Sequence, residues 1–403
     1  MPHDDREGPW EVRPRVGIGV VGFGWMGQAH SRSYRRIPML FRRRAAEPDL
    51  VVCSDTVAAR RDEAVTAFGF RESAEDWRAV CEHPDVDAVV VTAPNQLHVD
   101  VVEAACAAGK HVFCEKPVGG TPEQTARAWA AARDAGVITA VGYNYRFAPL
   151  VRHAAELIRG GSLGKITNYR GRFFSMYGSD PLGVLSWRYE QEEGGYGVSS
   201  DLLSHSVDLA HMLVGPIARI VGMRATTIEE RPIPQPGAGH YGRGRAGDPT
   251  GPVTNEDYVG ALAVFEGGVH ATFEASRTLV GPESQMAFDV YGKKGALSWN
   301  LERLNELRLY LAGDGPDTGY TTIFGGDRFP YHGNFVPGSA NGIGFEDLLA
   351  IEDYEFLDAV ARGEQHEPGF GAALDFVAVQ AALVRSWESG SWENVVPVAE
   401  VEM

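Results

Sequence analysis

The sequence predicts a two-domain α/β protein: a doubly wound parallel sheet at the N-terminus, then an α/β domain with a large, mostly antiparallel open sheet. Three observations lead there. Strand and helix patterns alternate with short connections between residues 15 and 142. Beyond that point the alternation gives way to a series of strand patterns joined by hairpin-type turns. The 403 residues also exceed the roughly 250–300 that one hydrophobic core serves. The predicted boundaries are a flexible tail at 1–14, the first domain at 15–142 and the second at 143–403.

Residues 15–21 read as a short buried strand, Gly22-Phe23-Gly24-Trp25-Met26-Gly27 follows at once, and 28–36 carries a helical pattern. A G-x-G-x-x-G run between strand and helix is the setting of a dinucleotide-binding turn. Its first glycine allows the turn, its second lets pyrophosphate reach the backbone, and its third lets helix and strand pack closely. The helix N-terminus adds unpaired N–H groups and a favourable dipole. The next strand, Leu50-Val51-Val52-Cys53, runs into Ser54-Asp55. An acidic residue there accepts ribose hydroxyls and repels a 2′-phosphate, which favours NAD and leaves NADP possible. Asp55 lies further from the glycines than the usual ~20 residues, matching an insertion at 38–48. Arg60 and Arg61 on the following helix read as an exposed helix face.

Two more units continue the pattern. A strand at 86–91 leads into Thr92-Ala93-Pro94-Asn95-Gln96-Leu97-His98 and a helix at 99–108 closed by Gly109. The strand His111-Val112-Phe113-Cys114 leads into Glu115-Lys116-Pro117, a helix at 122–134 and a strand at 137–141. Right-handed crossovers place 22–27, 55, 92–98 and 115–117 on one edge, beyond the carboxyl ends of the strands, where ligands bind. Lys116 on that edge is either a solvated charge or a proton donor and electrostatic clamp; position alone leaves both open.

The second half opens with a helix at 149–158 and strand-like runs at 166–177, 217–227, 258–265, 268–276, 285–291, 296–300 and 307–311. Two amphipathic helices follow at 345–362 and 372–389, and long loops are read at 231–252 and 327–344. A helix at 198–213 carries Asp201 and His205, four apart and so on one face. An aspartate beside an imidazole orients it and raises its basicity, as a general base requires, although a buried structural pair has the same spacing. Asp208 and His211 on the same helix read as structural.

The formal net charge of −17 argues against a nucleic-acid partner, and Arg42-Arg43-Arg44 is too short for a basic arm. Cys53, Cys81, Cys106 and Cys114 lie in or beside apolar elements without paired spacing, so they read as buried hydrophobes. His205, His211, His240 and His270 form no ligand cluster with them, so no metal is expected. No signal-peptide pattern or membrane-length apolar run is present, which leads to the expectation of a cytoplasmic protein with no membrane partner.

The glycine loop, Thr92-Ala93-Pro94-Asn95 with His98, Glu115-Lys116-Pro117, Gly142-Tyr143-Asn144-Tyr145-Arg146-Phe147 and Asp201-x-x-x-His205 occur in that order. Together they resemble the Gfo/Idh/MocA family of NAD(P)-dependent oxidoreductases from Val16 onward. The resemblance implies a Rossmann domain, a C-terminal α/β domain whose open sheet forms dimers or tetramers, and a catalytic set of Lys116, Asp201 and His205. It implies a cofactor set of Gly22, Phe23, Gly24, Trp25, Met26, Gly27, Asp55, Thr92, Ala93, Pro94, Asn95, His98, Glu115 and Lys116. It places Tyr143, Asn144, Tyr145, Arg146, Trp187 and Arg188 toward the substrate. Ser186-Trp187-Arg188, the 231–252 loop and Thr254-Asn255-Glu256-Asp257 are most similar to sugar and cyclitol dehydrogenases of the levoglucosan and inositol kind. The expected reaction is oxidation of a secondary ring hydroxyl of a polyol or sugar. The alternatives are a glycosidase of the same fold with tightly bound NAD, a non-catalytic NAD-binding regulator, and imine or dihydrodiol chemistry.

Overall fold

The computed structural model describes residues 13–235, 242–316 and 318–398. Most of the expected tail, the 236–241 part of the long loop and His240 lie outside the described residues. The chain divides into two compact units, one of residues up to 119, 123–150 and 324–374, the other of 120–122, 151–323 and 375 onward.

The first unit holds β1 (Arg15–Val21), β2 (Glu47–Ser54), β3 (Glu72–Ala74), β4 (Ala88–Val91), β5 (His111–Cys114) and β6 (Thr139–Val141). They form one parallel sheet in the order β3-β2-β1-β4-β5-β6. This is the Rossmann order, with its switch point between β1 and β4. The strands are short apolar runs because both faces are covered. Along β4, Ala88 and Val90 face one apolar cluster while Val89 and Val91 face the other. The second cluster takes Val99, Val102 and Ala105 from helix His98–Ala107 and Ala128 and Ala132 from helix Pro122–Ala135.

The first cluster corrects the boundary read from the sequence. Ile351, Tyr354, Phe356 and Leu357 of helix Phe345–Arg362 join Tyr34 and Ile37 of helix Trp25–Leu40 there, so 324–374 packs with the first unit. A doubly covered sheet needs helices on both faces, and the chain supplies one of them from its far end. The first helix also runs to Leu40 with Pro38 inside its last turn, absorbing the start of the segment read as an insertion.

The second unit contains β7 (Ile166–Ser175), β8 (Ile217–Ala225), β9 (Glu230–Pro232), β10 (Thr250–Pro252), β11 (Tyr258–Phe265), β12 (His270–Ser276), β13 (Ser284–Gly292), β14 (Gly295–Asn300), β15 (Glu306–Leu311), β16 (Thr321–Phe324) and β17 (Glu393–Asn394). Nine of them form a sheet in the order β16-β15-β14-β13-β7-β12-β11-β8-β17, while β9 and β10 pair separately. The β7–β12 pair is parallel. The pairs β11–β12, β8–β11, β13–β14, β7–β13, β14–β15 and β8–β17 are antiparallel. Burial alternates along β11 and β12 because one face packs on helices, among them Leu203–Leu213, and the other stays open. Met223 and Leu262 are exposed on that open sheet.

Candidate active site

In the first unit the site is laid out by the loops leaving β1, β2, β4 and β5. The chain turns out of β1 at Gly22, whose φ of +91° suits glycine; an added Cβ would lie 2.8 Å from the Ala93 backbone. Gly27, in the first turn of helix Trp25–Leu40, is equally confined, because a Cβ there would meet the Gly22 carbonyl oxygen at 2.1 Å. Gly24 differs: no heavy atom lies within 4 Å of its Cβ position. It is also the N-cap residue, and no side chain caps the helix. Two confined glycines shape the turn, and the third keeps open an approach to first-turn N–H groups at the positive end of the helix. That donor set fits the pyrophosphate of NAD. Trp25 beside it is exposed and stacks on Phe345 at 5.6 Å, and Met26 is half-buried.

Phe23 contributes its backbone rather than its ring. The ring packs edge-on against Phe68 and Phe70, while its N–H donates to Asp55 Oδ2 at 2.8 Å. Asp55 Oδ1 accepts from Val57 N–H at 2.8 Å, so this carboxylate ties the glycine loop to the turn after β2. Of the two arginines read as an exposed helix face, Arg60 is exposed and Arg61 is half-buried. Arg60 reaches Asp55 Oδ2 at 3.3 Å, and Arg61 donates to the Asp55 carbonyl at 2.7 Å. The carboxylate just ahead of helix Ala58–Thr66 attracts the Arg60 guanidinium, while the backbone carbonyl of the same residue holds Arg61.

Thr92 donates its hydroxyl to the Gly22 carbonyl at 2.6 Å, locking the β4 loop against the glycine turn. Ala93 and Asn95 are half-buried and Pro94 is exposed. His98 is buried, with its ring nitrogens each 2.8 Å from the carbonyl oxygens of Pro117 and Ala93, so it joins the β4 and β5 loops from beneath. Glu115 also faces inward. Its Oε1 lies 3.2 Å from His30 Nε2 and its Oε2 accepts the Lys116 N–H at 3.1 Å. Burial would raise its carboxyl, but His30 and Lys116 outweigh that and hold it below the usual range. Lys116 itself is half-buried, and the Lys116–Pro117 peptide is cis. After β6, Tyr143, Asn144 and Tyr145 are buried and Arg146 is half-buried; the Tyr143 side chain belongs to the second apolar cluster.

In the second unit the helix read at 198–213 is interrupted at Leu202, so Asp201 ends the segment Val198–Asp201 and His205 lies on Leu203–Leu213. Glu256 supports the first segment: its Oε1 accepts the Ser199 N–H at 2.9 Å, an anion at a helix start. His205 is buried with the Phe173 ring 6.0 Å away, and Asp208 is buried on the same helix. Asp201 accepts the Tyr177 hydroxyl at 2.9 Å and lies 3.6 Å from Arg188 Nη1. Burial, then the Asp201 charge, push the Tyr177 hydroxyl well above the ordinary phenol range.

The loop bearing Trp187 and Arg188 is pinned from below. The Arg188 guanidinium stacks over Trp187 at 4.4 Å, while its carbonyl accepts from Asn255 Nδ2 at 3.0 Å and Arg277 Nη1 at 3.1 Å. Arg277 donates to Asp257 Oδ1 at 2.6 Å in a fully buried pair. The Tyr189 ring lies 4.0 Å from the Arg231 guanidinium and 4.4 Å from that of Arg277. Asn255 and Asp257 thus act as scaffold for Arg188.

Tyr177, His30 and Asp353 were not singled out from the sequence. Tyr177 sits just past the end of β7, and His30 three residues past the last motif glycine, so each carried only a position. Among the described residues no cluster of three or more His, Cys, Asp or Glu could hold a metal, and no helix is long and apolar enough to cross a membrane.

Comparison with known proteins accords with this layout. A family model described as an oxidoreductase family with an NAD-binding Rossmann fold matches residues 16–143, and a GFO/IDH/MocA C-terminal domain matches 151–298. Levoglucosan dehydrogenase of Pseudarthrobacter phenanthrenivorans is 34% identical over 386 residues, covering 95% of this chain and 99% of that protein. Inositol 2-dehydrogenase of Rhizobium meliloti is 26% identical over 371 residues, covering 92% and 96%. A solved structure of levoglucosan dehydrogenase with NADH and levoglucosan superposes with a TM-score of 0.88 at 32% identity, covering 94% of this chain and 99% of that one.

Proposed function

The chain belongs to the Gfo/Idh/MocA oxidoreductase family and binds NAD, and from that premise we propose that it oxidises a secondary ring hydroxyl of a sugar, anhydrosugar or cyclitol to a ketone. The bound nicotinamide supplies a hydride acceptor for the carbon that bears the hydroxyl. His205 takes the hydroxyl proton, and Asp201 orients its imidazole. The Lys116 ammonium stabilises the charge that develops on the alcohol oxygen. Arg146, Trp187 and Arg188, all half-exposed, offer donors and an aromatic face to a polyhydroxylated ring. Self-association as a dimer or tetramer uses the open face of the nine-stranded sheet, and the enzyme works in the cytoplasm.

The observation that carries this reading is an Asp201 carboxylate held by the Tyr177 hydroxyl and by Arg188, four residues ahead of His205 in the sequence. The similarity to levoglucosan dehydrogenase over nearly the whole chain supports the substrate class.

The test is a panel of levoglucosan, inositols and aldoses with NAD and NADP, followed by nicotinamide absorbance. Lys116→Ala is expected to lower kcat by roughly 10²–10³ while NAD still binds. Turnover by Lys116→Ala equal to the parent, or glycoside hydrolysis without NADH formation, would overturn the reading.

A further inference from the structure

Helix Trp25–Leu40 begins at the cofactor turn and carries His30, which is fully buried. Its Nδ1 lies 2.8 and 3.0 Å from the two carboxylate oxygens of Asp353, on helix Phe345–Arg362. Its Nε2 lies 3.2 Å from Glu115 Oε1, and Glu115 Oε2 accepts the Lys116 N–H. A neutral imidazole has one N–H and would turn a lone pair toward one of the two carboxylates. Two carboxylate partners call for two ring protons, hence an imidazolium.

We infer that His30 and Asp353 are positioning residues for the Lys116 loop: the His30 imidazolium, anchored on Asp353, keeps Glu115 ionised, and ionised Glu115 fixes the backbone of Lys116. The inference rests on the role proposed for Lys116.

The surroundings leave the arrangement little freedom. The Phe113 ring of β5 packs 4.7 Å from the imidazole. A Cβ on Gly142 would come within 2.8 Å of the Glu115 carboxyl, so the carboxylate is boxed between helix and loop. The titratable and polar groups around them include Ser33 and Tyr34 on the same helix, Glu352 beside Asp353, and Lys116, Cys114 and His98 near Glu115. Burial by itself would push His30 down, but the charges and hydrogen bonds of Asp353 and Glu115 outweigh it and hold it well above the ordinary range. Burial raises Asp353.

The sign of the pH effect follows. With His30 present, Glu115 titrates below its ordinary value, so it stays an anion as the solution becomes mildly acidic. Replacing His30 by glutamine keeps a hydrogen-bond donor but removes the cation, and burial then raises Glu115. A carboxyl with a raised pKa protonates as pH falls through it, so the Lys116 loop loses its anchor on the acidic side.

His30→Gln is therefore expected to add an acid limb in kcat/KM to the one that a general base gives the parent, so that the variant-to-parent ratio of kcat/KM is at least tenfold lower at about pH 5.5 than at pH 8. His30→Gln/Glu115→Gln is expected to be low with a variant-to-parent ratio that stays constant over the same range, since the added titrating group is gone. NMR of labelled histidine is expected to show His30 as imidazolium through pH 8 in the parent, and Asp353→Asn to lower its titration by a unit or more. The NMR arm still decides if His30→Gln fails to fold. A parent-shaped profile in His30→Gln, a variant-to-parent ratio that still falls on the acid side in the double variant, or His30 titrating near its ordinary value would each overturn the inference. Lys116→Ala separates the two ideas: full activity there removes the proposed role of Lys116, while the NMR result reads the His30 assignment independently.

Discussion

Lys116 stands at the end of a chain of buried groups that is mainly anionic, and Asp201 stands beside one that is mainly cationic. Behind Lys116 lie Glu115, His30 and Asp353, two carboxylates around one imidazolium. Beside Asp201 lies Arg188, whose carbonyl is held by Arg277; Asp257 is the carboxylate bonded to Arg277, and Arg231 and Arg277 both lie against the Tyr189 ring. In each unit a charged group has a neighbour of opposite sign, Glu115 for Lys116 and Arg188 for Asp201, which favours its charged form. The means differ. In the first unit the link is through backbone, since Glu115 and Lys116 are neighbours in sequence and Glu115 accepts the Lys116 N–H. In the second it is through side chains, from Arg277 to the Arg188 carbonyl and from Tyr177 to Asp201. A backbone link transmits shape; a side-chain link can be cut one atom at a time.

The sharpest cut is at Asp257. Asp257→Ala leaves the Arg277 guanidinium buried without its carboxylate, and should lower stability by roughly 3–5 kcal/mol in urea unfolding. A loss below about 1 kcal/mol would mean that the cationic cluster does not depend on that pair. Next comes Tyr177→Phe, which removes one hydroxyl bonded to a carboxylate. A hydrogen bond to a charged group contributes roughly 1.5–3 kcal/mol, so kcat should fall by roughly tenfold to a hundredfold. NAD affinity, measured by fluorescence titration, should not change, because Tyr177 lies in the other unit. Equal losses in both would erase the contrast between the units. The smallest effect on stability separates two glycines of one turn. Gly27→Ala should cost roughly 1–3 kcal/mol by overpacking against Gly22. Gly24→Ala should change stability by no more than about 0.5 kcal/mol yet weaken NAD binding. Thermal unfolding and NAD titration of the pair settle which glycine shapes the turn and which one admits the phosphate.

The same contrast explains what the sequence made legible. The glycine loop, the ends of β1, β4 and β5 and the alternation of strand and helix follow from local patterns, since turn, strand and helix signals there span a few residues each. Both hairpins after β11 and β13 were marked by their glycines in the same way. β3, with three residues, was too short to show a period. Arg61 has the spacing of a solvated helix face, and only the position of the Asp55 carbonyl in space turns it inward. The break at Leu202 leaves no trace either, because Leu202 fits the apolar face of a continuous helix. His30 and Asp353 are 323 residues apart, and Tyr177 and Asp201 are 24 apart on different elements, so no window of sequence holds either pair.

The return of residues 324–374 to the first unit sets a timetable for the ribosome. Translation at roughly 5–20 residues per second separates the emergence of His30 from that of Asp353 by roughly 15–65 s. Throughout that interval one face of the parallel sheet lacks the helix that covers it, and His30 lacks its anchor. The cofactor unit, although it starts the chain, is thus completed late, and nascent chains stalled before residue 345 should recruit chaperones that full-length chains release.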